Sequence, residues 1–199
     1  MLFAVTRAQL ADAFGEERLA SLPAAAFPPP AAHTEGARLL QTVGVPTGTL
    51  FLREPDPESG LLPLLRELVD ADGGAGEWPV FGWLLNAHLA LDPGSGKVYA
   101  FDPDEETVEE MHTDVSSLIH VTLRFQRLLE EFSFSGDEAD EDADFERLDG
   151  EVGRVRETTS AVDPLPFLGD GTVWSVVGDE IAAGARFTAD SPAGRSLYG

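Results

Sequence analysis

Between Trp83 and Phe132 the chain has few ways to fold. Trp83-Leu84-Leu85-Asn86-Ala87-His88-Leu89-Ala90-Leu91 runs into Asp92-Pro93-Gly94-Ser95-Gly96, and Lys97-Val98-Tyr99-Ala100-Phe101 runs out again. Leu89, Leu91, Val98 and Tyr99 suit strands, and Pro-Gly-Ser-Gly suits the tight connection between them. After Met111-His112, Asp114 or Thr113 can cap a helix. Val115, Leu118, Ile119, Thr122 and Gln126 follow helical spacing, and Val121, Phe125, Leu128 and Phe132 form a second row. Two adjoining apolar rows predict a helix packed into the middle of a domain, with Arg124, Arg127, Glu130 and Glu131 on its wet side.

The flanks read more loosely. Thr6 caps a short helix to Phe14, and Thr34 caps another through Thr42 that Gly44 ends. The segment from Leu22 to Pro30 is read as an extended connector, because proline disfavours helix. Val45-Pro46 extends the chain, Thr49 to Leu52 and Pro79 to Leu84 have strand character, and Leu61 to Val69 suits a helix or broken helix. Asp104 to Met111 allows either a third strand or a helical turn. Residues 135–151 crowd acidic side chains together and read as a solvated insertion or disordered tract. Val152 to Val162 regains helix. A last amphipathic helix carries Trp174, Val177 and Ile181, and residues 190–199 read as a frayed tail.

At 199 residues the chain suits one domain with a core that needs no staples. It has no cysteine, so disulfides and thiolate metal sites are excluded. No apolar run is long enough to span a bilayer, and the first residues lack a signal peptide's apolar block. A cytoplasmic location is therefore expected. The net charge of -23 sets the surface against phosphate backbones and anionic membranes. It attracts a basic protein, so the expected partner is protein rather than nucleic acid or membrane.

Motifs of chemistry fail on their surroundings. Gly94-Ser95-Gly96-Lys97 resembles the end of a phosphate loop, but Leu91 stands at the first glycine's place, Val98 follows the lysine and a strand continues. Asp140, Asp142, Asp144 and Glu151 match the first, third, fifth and twelfth positions of a calcium loop, yet Phe145 replaces the turn glycine. His112, Asp114, Ser116 and Ser117 supply triad residue types without a nucleophile turn, and capping explains Asp114 and Ser116. His88 and His120 read as hydrogen-bonded structural residues. No cofactor, metal or catalytic residue is expected.

Leu39-Leu40-Gln41-Thr42-Val43-Gly44-Val45-Pro46 resembles a segment of the SUKH superfamily of bacterial immunity proteins, closest to its fourth subgroup, where the helix ends in Val-Gly-Leu-Pro. The likeness continues through Leu89-Ala90-Leu91-Asp92, Gly96-Lys97-Val98-Tyr99, His112-Thr113-Asp114-Val115-Ser116-Ser117-Leu118 and the helix with Trp174, Glu180 and Ile181. His112 stands where the family has Asn. The resemblance implies an α+β fold with a mixed or mainly antiparallel sheet flanked by helices. It implies a non-enzymatic protein that neutralises a cognate toxin, a nuclease or nucleic-acid deaminase of a polymorphic toxin system. A regulatory or scaffolding interaction module is the alternative. The partner-binding residues expected are Asp137, Glu138, Asp140, Glu141, Asp142 and Asp144 for electrostatic contact, with Trp78 and Trp83 as anchors if exposed.

Overall fold

A computed structural model describes residues 1–69, 76–137 and 140–198. They fall into two units, Met1–Thr122 and Leu123–Gly199. The fold is α+β with antiparallel sheets, as the sequence suggests.

The first unit begins with helix α1 (Arg7–Phe14). Thr6 accepts the Gln9 N–H while the Gln9 side chain accepts the Thr6 N–H, so the two exchange a reciprocal cap. Strand β1 (Leu19–Ala20) pairs with β2 (Val45–Pro46), a ribbon too short to leave a sequence signal. Between them lie α2 (Pro29–Ala32) and α3 (Glu35–Thr42). The expected extended connector is thus partly helical: Ala24–Ala26 forms a 3₁₀ turn, and Pro29 occupies the first position of α2. Proline is tolerated there because its missing N–H has no intrahelical partner anyway. Thr34 caps α3 by accepting from the Ala37 N–H at 3.2 Å. Leu61 to Val69 holds only a 3₁₀ turn, Leu65–Glu67.

The main sheet is a five-stranded antiparallel meander of β3 (Phe51–Leu52), β4 (Val80–Leu84), β5 (Ala87–Leu91), β6 (Val98–Asp102) and β7 (Thr107–His112) in that order. The Asp104–Met111 alternative resolves as strand. The Gly-Ser-Gly-Lys motif is the β5–β6 turn. Asp92 accepts the Gly94 N–H at 2.8 Å and the Ser95 hydroxyl at 2.6 Å, and Lys97 pairs with Glu110 on β7 at 2.7 Å. Leu84, Leu89, Leu91 and Val98 lie on one face of the meander and are fully buried. Each such leucine or valine contributes roughly 1.5–3 kcal/mol of transfer free energy. Helix α3 reaches Leu91 and Val115 at its Gly36.

Helix α4 (Val115–Glu131) continues from the first unit into the second. Asp114 caps it, accepting the Ser117 N–H at 3.0 Å and the Ser116 hydroxyl at 2.6 Å. The same carboxylate accepts the Leu2 N–H at 2.8 Å, so one residue starts the helix and anchors a distant segment. Burial acts to raise the Asp114 pKa, but the bonds from Ser116, Ser117 and Leu2 hold it below the usual value.

The second unit contains the rest of α4 with α5 (Glu141–Ser160), α6 (Val173–Ala182) and α7 (Pro192–Tyr198). Residues 141–151 are the opening turns of α5, where a disordered or solvated tract is expected from charge. Two effects favour the helix. Glu141, Asp142 and Asp144 sit in its first turn, where the helix dipole favours negative charge. Leu148, Val152, Val155 and Thr159 then bury a narrow stripe. Residues 192–198, expected to fray, are helical, with Ala193 and Gly194 buried. Trp174 is fully buried on α6 and stacks on Phe125 at 5.6 Å. Among the described residues no helix is long and apolar enough to cross a membrane.

Candidate partner-binding site

The meander's register defines a row of side chains that no single segment reveals. Phe51 pairs with Trp83, Trp83 with His88, His88 with Phe101 and Phe101 with Val108. Directly opposed residues share a face, so this row crosses all five strands on one side. Phe51 and Trp83 stack at 5.8 Å, and His88 and Phe101 at 6.2 Å. At the β6–β7 end Leu65, Leu68, Val69 and Trp78 cover the row. At the β3–β4 end it is open: Phe51 is 48% exposed and Trp83 37%.

The surroundings of the open end are unusual. Leu85, in the two-residue β4–β5 turn, is 36% exposed and sits at φ 56°. Leucine in the left-handed region is strained, and asparagine or glycine is the ordinary choice in such a turn. Arg53 follows β3, with its backbone N–H on the Phe81 carbonyl at 2.8 Å. A groove of about 650 Å³ is lined by Leu52, Arg53, Glu54, Trp83, Leu85, Asn86 and His88. His88 departs from the hydrogen-bonded role expected of it: Nδ1 is buried and has no hydrogen-bond partner among the described residues. Burial first, and then the Arg53 charge, lowers its pKa, which keeps the imidazole neutral near pH 7. His120, by contrast, stacks on Phe3 at 4.1 Å.

The other sequence-expected residues take varied places. Trp83 meets the exposure condition for an anchor. Trp78 is half-buried and stacks on Tyr99 at 4.2 Å, so much of its surface goes to packing. Asp137, Asp140, Glu141 and Asp142 are exposed, and Glu138 lies outside the described residues. In the second unit Asp137, Glu141 and Asp144 line a groove of about 180 Å³ with Phe134, Phe145 and Leu197. Asp144 differs from its acidic neighbours because it is buried. It accepts from Arg147 at 2.7 Å and from the Ser135 N–H. Arg147 in turn lies over the Phe132 ring at 4.2 Å. Asp144 therefore braces the start of α5 rather than presenting a free charge.

Arg147, and next the Ser135 N–H and hydroxyl, hold the Asp144 carboxyl down to about 2 from 3.8. A depressed carboxyl pKa contributes stability above the unfolded value, and that contribution disappears as pH falls through the folded value. The gap in melting temperature between the wild type and Asp144→Asn is therefore expected to be open at pH 5 and to close towards pH 2. Thermal melts followed by circular dichroism measure it, and a gap of constant size across that range would show that the ion pair is not its source.

The remaining motifs are structural. His112 Nδ1 and Ser117 Oγ meet at 2.9 Å, but both residues are fully buried, so a substrate has no path to that hydroxyl. Asp114 is engaged with Ser116 and the cap instead. The calcium-like spacing falls on α5, and a helix spreads those carboxylates along its length rather than folding them round one ion. Among the described residues no group of three or more histidine or carboxylate side chains converges on a point where a metal would sit.

Comparison with known proteins agrees with the sequence resemblance. The protein-family model described as SUKH-4 immunity protein matches residues 5–180. No curated protein and no solved structure matches the chain.

Proposed function

Because the chain belongs to the SUKH-4 immunity protein family, we propose that it binds and neutralises a cognate bacterial toxin, a basic nuclease or nucleic-acid deaminase of a polymorphic toxin system. The reading needs no catalysis by the chain and no cofactor; binding alone protects the cell. It places the protein in the cytoplasm, where such a toxin would act. The observation that carries it is family membership joined to a net charge of -23. A surface so acidic repels nucleic acid and draws in the basic proteins that cut or edit it. Asp137, Asp140, Glu141 and Asp142 are exposed carboxylates suited to that attraction, and Glu138 belongs to the same run.

Co-expression with the toxin encoded beside the gene tests the proposal. Cells carrying both are expected to grow, and the two proteins to leave a gel-filtration column together; death of the cells or separate elution counts against it. Changing Asp137, Asp140, Glu141 and Asp142 to Asn or Gln keeps the helix while removing charge. Association is expected to slow by roughly tenfold at low salt. The difference should vanish near 1 M salt, where charges are screened beyond about 3 Å. Equal rates at every ionic strength would remove the steering role of these residues.

A further inference from the structure

We infer that the open end of the aromatic row is the docking core for the toxin, and that it takes a segment presenting an apolar side chain beside a carboxylate. The inference rests on the immunity reading and adds the surface and the partner chemistry to it.

Three observations converge there. The first is apolar exposure. Phe51, Trp83 and Leu85 are among the few large apolar side chains left in solvent; Phe51 stacks on Trp83, and Leu85 of the adjoining turn lines a groove with Trp83. Exposed apolar surface gathered in one patch marks an interaction site, and tryptophan and arginine are the residues that most often dominate binding energy. The second is strain. Leu85 is held at φ 56°, where glycine is unstrained and asparagine is less strained than leucine. A strained side chain kept at an exposed turn points to a use for that side chain.

The third observation is polar and decides the partner. The Arg53 guanidinium makes no hydrogen bond or ion pair among the described residues, and Arg53 lines the groove together with Trp83. His88 lines the same groove, and its buried Nδ1 has no hydrogen-bond partner among the described residues. A planar guanidinium beside an apolar surface recognises a carboxylate with two parallel hydrogen bonds. A purely apolar occupant would bury the Arg53 guanidinium unpaired, which opposes binding. A second copy of this chain docked with the groove on the two-fold axis would bring Arg53 against Arg53, an unfavourable meeting of like charges. A toxin segment with an apolar knob and an adjacent Asp or Glu satisfies all three. The distant acidic run supplies attraction, and Arg53 supplies register.

The test uses the purified full chain and the toxin encoded beside its gene, with the dissociation constant measured for wild type and variants. Trp83→Ala is expected to weaken binding at least about 30-fold. Arg53→Glu, which leaves the apolar surface intact, is expected to weaken it at least about tenfold. Leu168→Ala, at the exposed Leu168 of the second unit, serves as the control and should bind as wild type does. If the wild type binds but Trp83→Ala and Arg53→Glu stay within twofold of it, the docking surface is wrong while the immunity reading stands. If the wild type itself fails to bind the toxin, the immunity reading fails for that partner and the docking inference falls with it. Light scattering on the chain alone separates the remaining occupant. A dimer that Trp83→Ala dissolves would assign the face to a second copy and overturn the inference.

Discussion

A Trp174→Ala chain melts roughly 6–20 °C below the wild type, the largest stability effect expected of any substitution considered for this protein. Truncating a fully buried tryptophan costs about 3–5 kcal/mol, through lost transfer free energy and an unfilled cavity. Each kcal/mol lowers the melting temperature of a chain this size by about 2–4 °C. Trp174 has no exposed surface, and α6 is fixed over Phe125 by its stacking at 5.6 Å, with Phe167 edge-on to Phe125 at 6.2 Å. The surroundings are rigid aromatic rings, so the cavity closes poorly. Trp83→Ala removes the same side chain from a site 37% exposed, where it stacks on Phe51 at 5.8 Å, and should shift melting far less. Melting curves of the two variants, read beside toxin affinity, separate the scaffold from the recognition surface. Trp174→Ala melting within 2 °C of wild type would mean that the second unit repacks freely around the gap.

The second large effect comes from a residue with no side chain to offer a partner. Gly82→Val is expected to reduce toxin affinity about as much as Arg53→Glu does, and to cost roughly 1–3 kcal/mol of stability. A Cβ on Gly82 would lie 2.5 Å from the Phe51 carbonyl oxygen, a backbone atom that cannot rotate away. Gly82 is the register partner of Leu52, so the added carbon pushes β3 off β4. The contact between the Arg53 N–H and the Phe81 carbonyl is lost with it, and Phe51 and Arg53 leave their places together. Amide exchange at Phe51 to Arg53 should rise in the variant. Unchanged exchange and unchanged affinity would show that β3 accommodates the carbon by local adjustment.

These expectations mix features that the sequence carries openly with others it conceals. The β5–β6 hairpin, the capped α4 and the Thr6 and Thr34 caps are local. Each is written in fewer than twenty consecutive residues, with a turn or cap chemistry that has few alternatives. The aromatic row is not local. Phe51 is 50 residues from Phe101 and reaches its neighbourhood only through three successive strand pairings, each with its own register. The bulge between Val80 and Gly82 shifts the alternation within β4, so counting every second residue along that strand misassigns its faces. Trp83 alone could be nominated from its residue type.

The acidic run hides a different signal. Between Asp137 and Glu151 the charge dominates any window average, whereas the helix depends on one residue per turn. Leu148, Val152, Val155 and Thr159 follow at intervals of four, three and four, a stripe only one side chain wide. Arg147, Arg154 and Arg156 offset part of the repulsion through Asp144, Glu151 and Asp179. Attention to spacing rather than to charge would have found α5. Nothing comparable could have separated Asp144 from its neighbours, because its burial depends on Ser135 and Arg147 arriving from either side.

The meander's two faces bear on how such a protein can diverge. Leu84, Leu89, Leu91 and Val98 hold the fold from one side, while Phe51, Trp83 and His88 stand on the other and contribute little to that core. On the docking inference, substitutions at the exposed Phe51 and Trp83 carry smaller folding penalties than substitutions in the core and can follow a changing toxin. On that inference a lineage exchanges one target for another by rewriting a few outward letters, with the strands, their order and their hydrogen bonds inherited intact.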